Sequence, residues 1–363
     1  MKPESRLASL DILRALAVIL VLFGHQPLPA PSQMPEWLFH VLLKIERVGW
    51  MGVDLFFVLS GFLVSGLLFR EWQRHGSLRW GRFWLRRAWK IYPPFYLMLA
   101  ATVSLVWFRT GYFPPWNVVL SEMLFVQNYW LTLFNHTWSL AIEEHFYLLL
   151  PFMLWIASRG KGGGTFERLP WMILALAIAA LAFRVELAAR LDFNWRTHAV
   201  ATHLRIDSLA FGVWISWLFH FRHEQLKNFW QRWRKVLLAT AALLLLPVFW
   251  IRYGTGFYLH SFGFTAIYIA CGIVLLEALF AEWKNRWLAA IGKQSYSIYL
   301  WHMTFLLLIL KPAFGRDGGW TLWFCHFALS LGGGMLLGMA IETPFLRLRD
   351  RLFPSRSGIF KPK

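Results

Sequence analysis

The chain has 363 residues, of which 58% are hydrophobic and 15% are charged, and its mean hydropathy is +0.47. Soluble domains carry about 25% charged residues, so this composition excludes an ordinary soluble domain and indicates a polytopic membrane protein. The formal net charge is +18. In a membrane protein the distribution of Lys and Arg matters more than their total, and we expect no nucleic-acid partner. The sequence has no clustered Cys/His motif and no GxxxxGK loop, so we expect no bound metal and no tightly bound cofactor.

Apolar stretches long enough to span a membrane recur along the whole chain. The fourth, 118–134, contains Glu122 and Asn128 and is separated from the next by only a short polar NHT. We interpret it as a re-entrant or interfacial segment. The sequence therefore predicts an all-α transmembrane domain over 1–346 with about ten spanning helices, followed by a short basic cytoplasmic tail over 347–363. The stretches are 8–26, 48–69, 90–108, 118–134, 138–157, 170–190, 205–220, 236–251, 262–281, 295–311 and 321–341.

The distribution of positive charge predicts the orientation of these spans. If the N-terminus is cytoplasmic, the cytoplasmic segments hold 26 of the 37 Lys and Arg residues. Such a bias in short loops sets membrane topology, so we expect both termini in the cytoplasm. The most basic segment, 70–90, combines its cations with aromatic residues and predicts a basic interfacial helix. Two interpretations stay open: it anchors to anionic lipid headgroups, or it docks an anionic cosubstrate.

The first span carries two residues that are costly to insert into a membrane, Arg14 and His25. Titratable side chains inside membrane spans are rare and mark functional sites by default. Eleven residues are about three helical turns, so both side chains lie on one face, roughly 16 Å apart along the axis. The alternative is that they cap the ends of the helix or satisfy buried carbonyl groups. In the second span Asp54 and Ser60 lie among apolar residues. Asp54 either orients a histidine or is a negative charge near the helix N-terminus that the helix dipole stabilises.

The segment 138–157 contains adjacent glutamates, which do not share a helix face. Ser139, Glu143 and Tyr147 repeat every four residues and form one polar stripe. We therefore favour Glu143 as the inward carboxylate and rank Glu144, which falls on an apolar face, second. A buried carboxylate acts as a general base or holds a histidine. The alternative is an ion pair with an arginine of another span.

Two later segments also place polar residues within apolar surroundings. Arg205 and Asp207 open one span and are close enough in sequence to pair with each other. Tyr299 and His302 lie on one face of another span together with Ser295. Polar residues thus converge on the bundle interior from several spans. This pattern indicates an active site or a pathway within the membrane, so a transporter or channel for a small anion is the alternative to an enzyme.

Taken in order, these segments resemble the acyltransferase-3 family of integral membrane O-acyltransferases, which includes O-antigen acetylases. The matching elements, in order along about residues 7–346, are Arg14 and His25 as R-x10-H, DLFFVLSGFL, RRAWKIYP, WSLAIEEHFYLLLP, LRIDSLAFG, SYSIYLWH and IETP. In RRAWKIYP, Lys90 stands where the family commonly has arginine.

The resemblance implies an O-acetyltransferase in a bacterial inner membrane. Acetyl-CoA would be its cosubstrate, and its acceptor would be a hydroxyl of a carbohydrate or glycolipid on the far side of the membrane. Membrane lipids are its other expected partners, and the sequence carries no signal of oligomeric state. We expect His25 to act as the catalytic base or nucleophile, with Glu143 or Asp54 orienting it. The expected ligands of the coenzyme A phosphates are Arg14, Arg86, Arg87 and Lys90. The expected substrate-binding residues are Ser60, Trp138, Ser139, Glu144, Tyr147, Arg205, Asp207 and His302.

Overall fold

A computed structural model describes residues 8–159, 166–251, 254–315 and 318–356, and all regular structure in these ranges is helical. The α-helices are α1 Ala8–Gly24, α2 Glu36–Val48, α3 Met51–His75, α4 Trp80–Thr110, α5 Trp116–Met123, α6 Trp138–Ser158, α7 Leu169–Arg190, α8 Trp195–His198, α9 Thr202–Phe221, α10 His223–Leu245, α11 Phe264–Ala281, α12 Arg286–Lys293, α13 Ser295–Thr304, α14 Lys311–Phe314, α15 Gly319–Ala328, α16 Gly334–Leu337 and α17 Thr343–Leu352. Short 3₁₀ turns, Pro31–Gln33 and Leu246–Phe249, and π turns, Leu259–Gly263, Phe305–Leu310, Leu329–Gly333 and Gly338–Glu342, join or extend them.

Seven helical segments of the described chain are long and apolar enough to cross a membrane. They confirm an all-α polytopic membrane protein. The helices α1, α9 and α10 are not among them, so the number of ten spans stays a prediction. The seven segments are Glu36–His75, Trp80–Thr110, Trp138–Ser158, Leu169–Arg190, Leu259–Ala281, Ser295–Phe314 and Gly319–Leu352.

The stretch 118–134 does not form a spanning helix. α5 ends at Met123, and the chain is non-helical from there to α6. The buried carboxylate of Glu122 fixes this turn, because it accepts hydrogen bonds from the backbone N–H of Leu133 (2.8 Å) and the hydroxyl of Thr137 (3.0 Å). A buried carboxylate oxygen that accepts from several such donors holds the chain in a compact turn. The re-entrant position of this segment in the membrane stays a prediction.

The basic stretch 70–90 differs from the separate helix that the sequence predicts. α3 continues to His75, where Gly76 takes a left-handed conformation (φ 62°) and ends the helix. α4 then begins at Trp80 and continues to Thr110. Glycine adopts positive φ without steric cost. Gly76 therefore ends α3 within the stretch for which the sequence predicts one helix. The basic residues therefore lie at the facing ends of two long helices.

Helix α3 lies at the centre of the bundle and packs on α1, α6, α9 and α11. Its contact with α9 depends on two glycines. A Cβ atom at Gly61 would lie 1.9 Å from the carbonyl oxygen of Leu209, and one at Gly212 would lie 2.1 Å from that of Val58. Small residues let membrane helices approach closely. This close packing holds α3 rigidly beside the polar residues of α6.

The chain end packs back against the bundle. α17 continues through the boundary predicted at residue 346, and the residues after it contact the ends of α3 and α4. Arg82 and Arg86 donate to the carbonyl oxygens of Pro354 and Phe353, and Arg356 lies 3.2 Å from Glu71. The last part of the predicted tail, 357–363, lies outside the described residues.

Candidate functional site

A cavity of about 310 Å³ opens between α1, α3, α4, α6, α13 and α17. Its wall combines cations, carboxylates and hydroxyls with apolar side chains from α3. The polar and charged residues that line it are Arg14, Ser60, Arg70, Arg87, Lys90, Ser139, Glu143, Glu144, Tyr147, Ser295, Tyr296, Tyr299 and Arg349. Eight of the predicted site residues therefore meet in one volume: Arg14, Ser60, Arg87, Lys90, Ser139, Glu143, Glu144 and Tyr147.

The carboxylate of Glu143 forms a hydrogen-bonded cluster on one wall of this cavity. Ser60 Oγ donates to Glu143 Oε2 (3.2 Å), Tyr147 Oη donates to the same oxygen, and the two hydroxyls lie 2.5 Å apart. The four-residue spacing of Glu143 and Tyr147 thus places both on one face, as their sequence predicts. No ion pair holds Glu143 among the described residues, so the alternative of an interhelical salt bridge is not observed here.

Glu144 also lines the cavity, which corrects the expectation that it falls on an apolar face. Its Oε2 accepts a hydrogen bond from Tyr92 Oη at 3.1 Å. Adjacent helical residues project about 100° apart. Because α4 and α13 flank α6, the cavity wraps far enough around α6 to reach both glutamates.

The cations gather at one end of the cavity, next to a second cavity of about 200 Å³. Arg87 and Lys90 line both volumes, whereas Arg86 lines only the second. The Arg87 guanidinium lies 5.3 Å from the Tyr147 ring centroid and forms no ion pair within the described chain. Arg14 lines the first cavity, and Asp11, 3.9 Å away, is its nearest carboxylate. Guanidinium groups with free donors are suited to phosphate binding.

His25 lies outside the cavity lining, in a cluster of four imidazoles. The ring centroids of His25 and His302 are 5.0 Å apart, those of His302 and His136 4.8 Å, and those of His302 and His326 6.5 Å. Tyr299 connects the two regions, since it lines the cavity and its ring lies 5.7 Å from His302. His25 is partly exposed, while the other three histidines are buried.

The orientation of His25 corrects a second expectation. Its Nδ1 lies 2.9 Å from the carbonyl oxygen of Val21, one turn earlier on the same helix, and accordingly donates to it. Neither Glu143 nor Asp54 hydrogen-bonds it in the described structure. A donating Nδ1 leaves Nε2 free to accept a proton. The main chain therefore orients the imidazole in place of a carboxylate.

The residues His136 and His326 were not predicted from the sequence. His302 Nε2 and His136 Nδ1 lack a partner in the described part of the chain, and Gln26 Oε1 lies 2.8 Å from His326 Nδ1. Burial, with a smaller contribution from the nearby His25, lowers the pKa of His136 to about 3, so this imidazole is neutral. A lone histidine in an apolar run, as at His326, carries the same signal as His25. His136 is in a polar turn, where sequence gives no such signal.

Three other predicted site residues lie in buried ion pairs away from the cavity. Arg205 Nη2 is 2.7 Å from Asp54 Oδ1, and its guanidinium stacks 3.8 Å from the Phe264 ring centroid. Asp207 accepts two hydrogen bonds from Arg184, at 2.8 and 3.1 Å. The local Arg205–Asp207 pair is therefore wrong. Trp138 packs 5.7 Å from the Arg205 guanidinium and does not line the cavity either.

The chain belongs to the acyltransferase-3 family. A family model described as an acyltransferase domain matches residues 7–342. Within the described residues, no three His, Cys, Asp or Glu side chains are placed to hold a metal ion.

Similar proteins come from Staphylococcus aureus. The chain is 27% identical to a protein named "Putative O-acetyltransferase SACOL0978" of strain COL, over 93% of this chain and 56% of the relative. It is 28% identical to the O-acetyltransferase OatA of strain NCTC 8325, over 84% of this chain and 51% of the relative. The chain thus spans about half the length of these curated relatives. No solved structure matches it.

Proposed function

We propose that this chain is a membrane-bound O-acyltransferase that moves an acetyl group from cytoplasmic acetyl-CoA to a hydroxyl of an extracytoplasmic carbohydrate or glycolipid. The observation that carries this proposal is the continuity between three features. A cluster of cations lies at one end of a polar cavity, and Tyr299 joins that cavity to the imidazole of His302 and, through it, to His25. The names of the similar proteins support O-acetyl transfer.

The cationic end of the cavity accounts for donor binding. Coenzyme A carries several phosphate charges on its nucleotide end and a long neutral arm that ends in the thioester. Arg86, Arg87 and Lys90 would bind the phosphates, because charge-assisted hydrogen bonds from guanidinium and ammonium groups are strong. The arm would then extend past Ser60 toward Ser139 and Tyr299. Arg14, on the wall between these positions, would contact the arm or an inner phosphate.

The imidazole cluster accounts for the chemistry. The free Nε2 of His25 would take the proton of the acceptor hydroxyl, while the oxygen of that hydroxyl attacks the thioester carbon. The carbon–sulfur bond breaks, the acetyl group becomes an ester, and the proton passes to the thiolate to give free coenzyme A. A histidine titrates near neutrality and suits both proton steps. The hydroxyl of Ser139, which lines the cavity and lies 2.6 Å from the hydroxyl of Tyr299, would be a donor for the oxyanion.

Two forms of this reaction are open. In one, His25 is a general base in direct transfer. In the other, His25 is the nucleophile and carries the acetyl group to an acceptor on the far side. The partial exposure of His25, against the burial of the other three histidines, supports an acceptor that approaches from its side of the cluster. Mass spectrometry of the protein after incubation with donor alone distinguishes the two, since only the second leaves an acetyl-histidine.

The proposal includes the membrane arrangement that the charge distribution predicts. It has ten spans, both termini in the cytoplasm and a re-entrant segment over 118–134, in a bacterial inner membrane. Cysteine accessibility at Ser77, between α3 and α4, and at the exposed Thr197 of the short helix α8 tests it. These sites are predicted on opposite sides, so a membrane-impermeant reagent added to intact cells should label only Thr197→Cys.

Release of free coenzyme A tests the function. Purified protein, acetyl-CoA and an extract of cell-envelope glycans should together give a thiol signal and a glycan with added acetyl mass. His25→Gln should lower the rate by about 10²–10⁴-fold, the usual contribution of general acid–base catalysis. His40→Gln, at an exposed histidine of α2, is the matched control and should keep full activity. An anion channel or transporter would instead give ion flux in vesicles without coenzyme A release. That result, or full turnover by His25→Gln, would contradict the proposal.

A further inference from the structure

The chain beyond residue 342, where the family match ends, builds part of the cationic site. Arg349 on α17 lines both cavities, and Arg356 after the helix lines the second. The family model does not cover either residue. Both arginines reach the cavities because this segment folds back on the bundle. Arg356 forms an ion pair with Glu71, and the carbonyl oxygen of Phe353 accepts a hydrogen bond from Arg86.

One carboxylate holds two of these guanidinium groups in place. Asp350 Oδ1 is 2.9 Å from Arg86 Nη2, 3.0 Å from Arg349 Nε and 2.8 Å from Arg349 Nη2. Two positive charges therefore share one negative charge. Glu71 is the only carboxylate in the lining described for the second cavity, and it pairs with Arg356. The cations of that lining are Arg82, Arg86, Arg87, Lys90, Arg349 and Arg356.

This excess of positive charge favours an anion. Like charges a few ångströms apart repel one another in a partly desolvated pocket. A bound polyanion offsets this repulsion because it attracts each of the cations. Arg87, Lys90 and Arg349 line both volumes, so an occupant can place phosphate groups in the second cavity and an extended arm in the first. A phospholipid shares the phosphate chemistry. Its acyl chains, however, would have to lie against Glu143 and Glu144.

We propose that Arg349 is a further phosphate ligand of the acyl-CoA donor, so that the segment after residue 342 completes the donor site. The inference rests on the proposed function for the identity of the donor. Asp350 orients Arg349 toward the site from the surface side, and the fork of the guanidinium is suited to two phosphate oxygens.

Equilibrium binding of coenzyme A to the full chain tests this assignment. The protein is placed in nanodiscs of neutral phosphatidylcholine and titrated with coenzyme A or with pantetheine, which lacks the nucleotide phosphates. Arg349→Gln should raise the Kd for coenzyme A about tenfold, the usual loss for a charged hydrogen bond, and leave pantetheine binding unchanged. Arg351→Gln, an exposed arginine of the same helix, should change neither Kd by more than about twofold. Arg349→Lys should fall between them.

Several outcomes would overturn the assignment. Wild-type affinity for coenzyme A in Arg349→Gln would do so, and an equal loss of coenzyme A and pantetheine binding would indicate a structural role instead. If the variant loses only binding of phosphatidylglycerol, added to the discs at a stated fraction, the ligand is a lipid headgroup. In each of these cases coenzyme A binding and acetyl transfer by the wild type leave the proposed function standing. A wild type that neither binds coenzyme A nor transfers acetyl contradicts both.

Discussion

Two groups of arginines lie inside this protein, and their surroundings are opposite. Arg184 and Arg205 meet the carboxylates of Asp207 and Asp54 at 2.8 and 2.7 Å, and neither lines either of the two cavities described above. Arg87 lines both cavities and forms no ion pair within the described chain. Each arginine of the first group pairs with a buried carboxylate of the protein, whereas Arg87 faces open volume.

The comparison shows which buried charge indicates a site. A charge inside a membrane protein is costly wherever it lies, so its presence alone does not distinguish a structural pair from a binding group. The distinguishing feature is an unmatched charge beside a cavity. By this criterion we propose Arg87 as a ligand-binding residue, whereas Asp54, Arg205 and Asp207 lie in buried pairs that we assign to structure.

Breaking the Arg184–Asp207 pair should have the largest effect, and the effect should be on stability. Arg184→Met leaves the buried Asp207 without its partner and should cost about 3–5 kcal/mol of unfolding free energy. Unfolding in a detergent titration measures this. Arg190→Gln, which removes an exposed pair with Glu186 on the same helix, should cost about 0.5 kcal/mol or less. Equal losses in the two variants would contradict the structural assignment of Arg184.

Removing an unmatched cation should affect the donor instead. Arg87→Gln should raise the KM for acetyl-CoA by about 10–100-fold, because a charged hydrogen bond contributes about 1.5–3 kcal/mol. The unfolding free energy should stay within about 1 kcal/mol of wild type. Arg109→Gln, at the exposed far end of α4, serves as the control. A large loss of stability with an unchanged KM would place Arg87 in the structural group.

The buried imidazole of His136 should make the stability of the protein depend on pH. Because the folded pKa of His136 is about 3, below its unfolded value, folding at low pH must remove a proton from it. Its contribution to stability is present above about pH 6.5 and is lost as the pH falls toward 3, by up to ~1.4 kcal/mol per pH unit. His136→Gln should flatten the decline in melting temperature between pH 7 and pH 5, while His40→Gln should not. An unchanged decline in His136→Gln would contradict a neutral buried imidazole.

The smallest effect is expected in the hydroxyl cluster of the cavity. Tyr147→Phe removes the hydroxyl that Ser60 and Glu143 share. The lost hydrogen bond contributes about 1 kcal/mol to the stabilisation of the reacting state. Turnover should fall about fivefold, with unchanged coenzyme A affinity and little loss of stability. Tyr112→Phe, at an exposed tyrosine, should match the wild type. A coenzyme A affinity that falls together with turnover would move Tyr147 into the phosphate-binding group.

The sequence predicted which polar residues share a helix face better than it predicted their partners on other helices. The all-α membrane class, the spacing of Glu143 and Tyr147 and the polar stripe of α6 follow from local periodicity, which a sequence displays directly. The partner of Asp54 does not, because Arg205 lies about 150 residues away and reaches it only through packing of α3 on α9. Spacing cannot predict a contact between distant helices.

Two errors have identifiable local causes. The placement of Glu144 on an apolar face assumed a narrow contact face, and α6 instead lies against a cavity that reaches both Glu143 and Glu144. The expectation that a carboxylate orients His25 followed the pattern of catalytic triads. Here a main-chain carbonyl serves, as the last turn of a helix offers unpaired carbonyl oxygens.

Photocrosslinking is the most direct test of whether the cations that line the two cavities bind the donor. A coenzyme A analogue with a photoreactive group on the thiol is irradiated with the full chain, and the adducts are mapped by mass spectrometry. If these cations bind the donor, we expect adducts on peptides of α3, α6 and α13 that excess acetyl-CoA suppresses and that Arg87→Gln weakens. Adducts confined to α7, α9 and α11, around the paired arginines, or adducts that acetyl-CoA does not suppress, would contradict it.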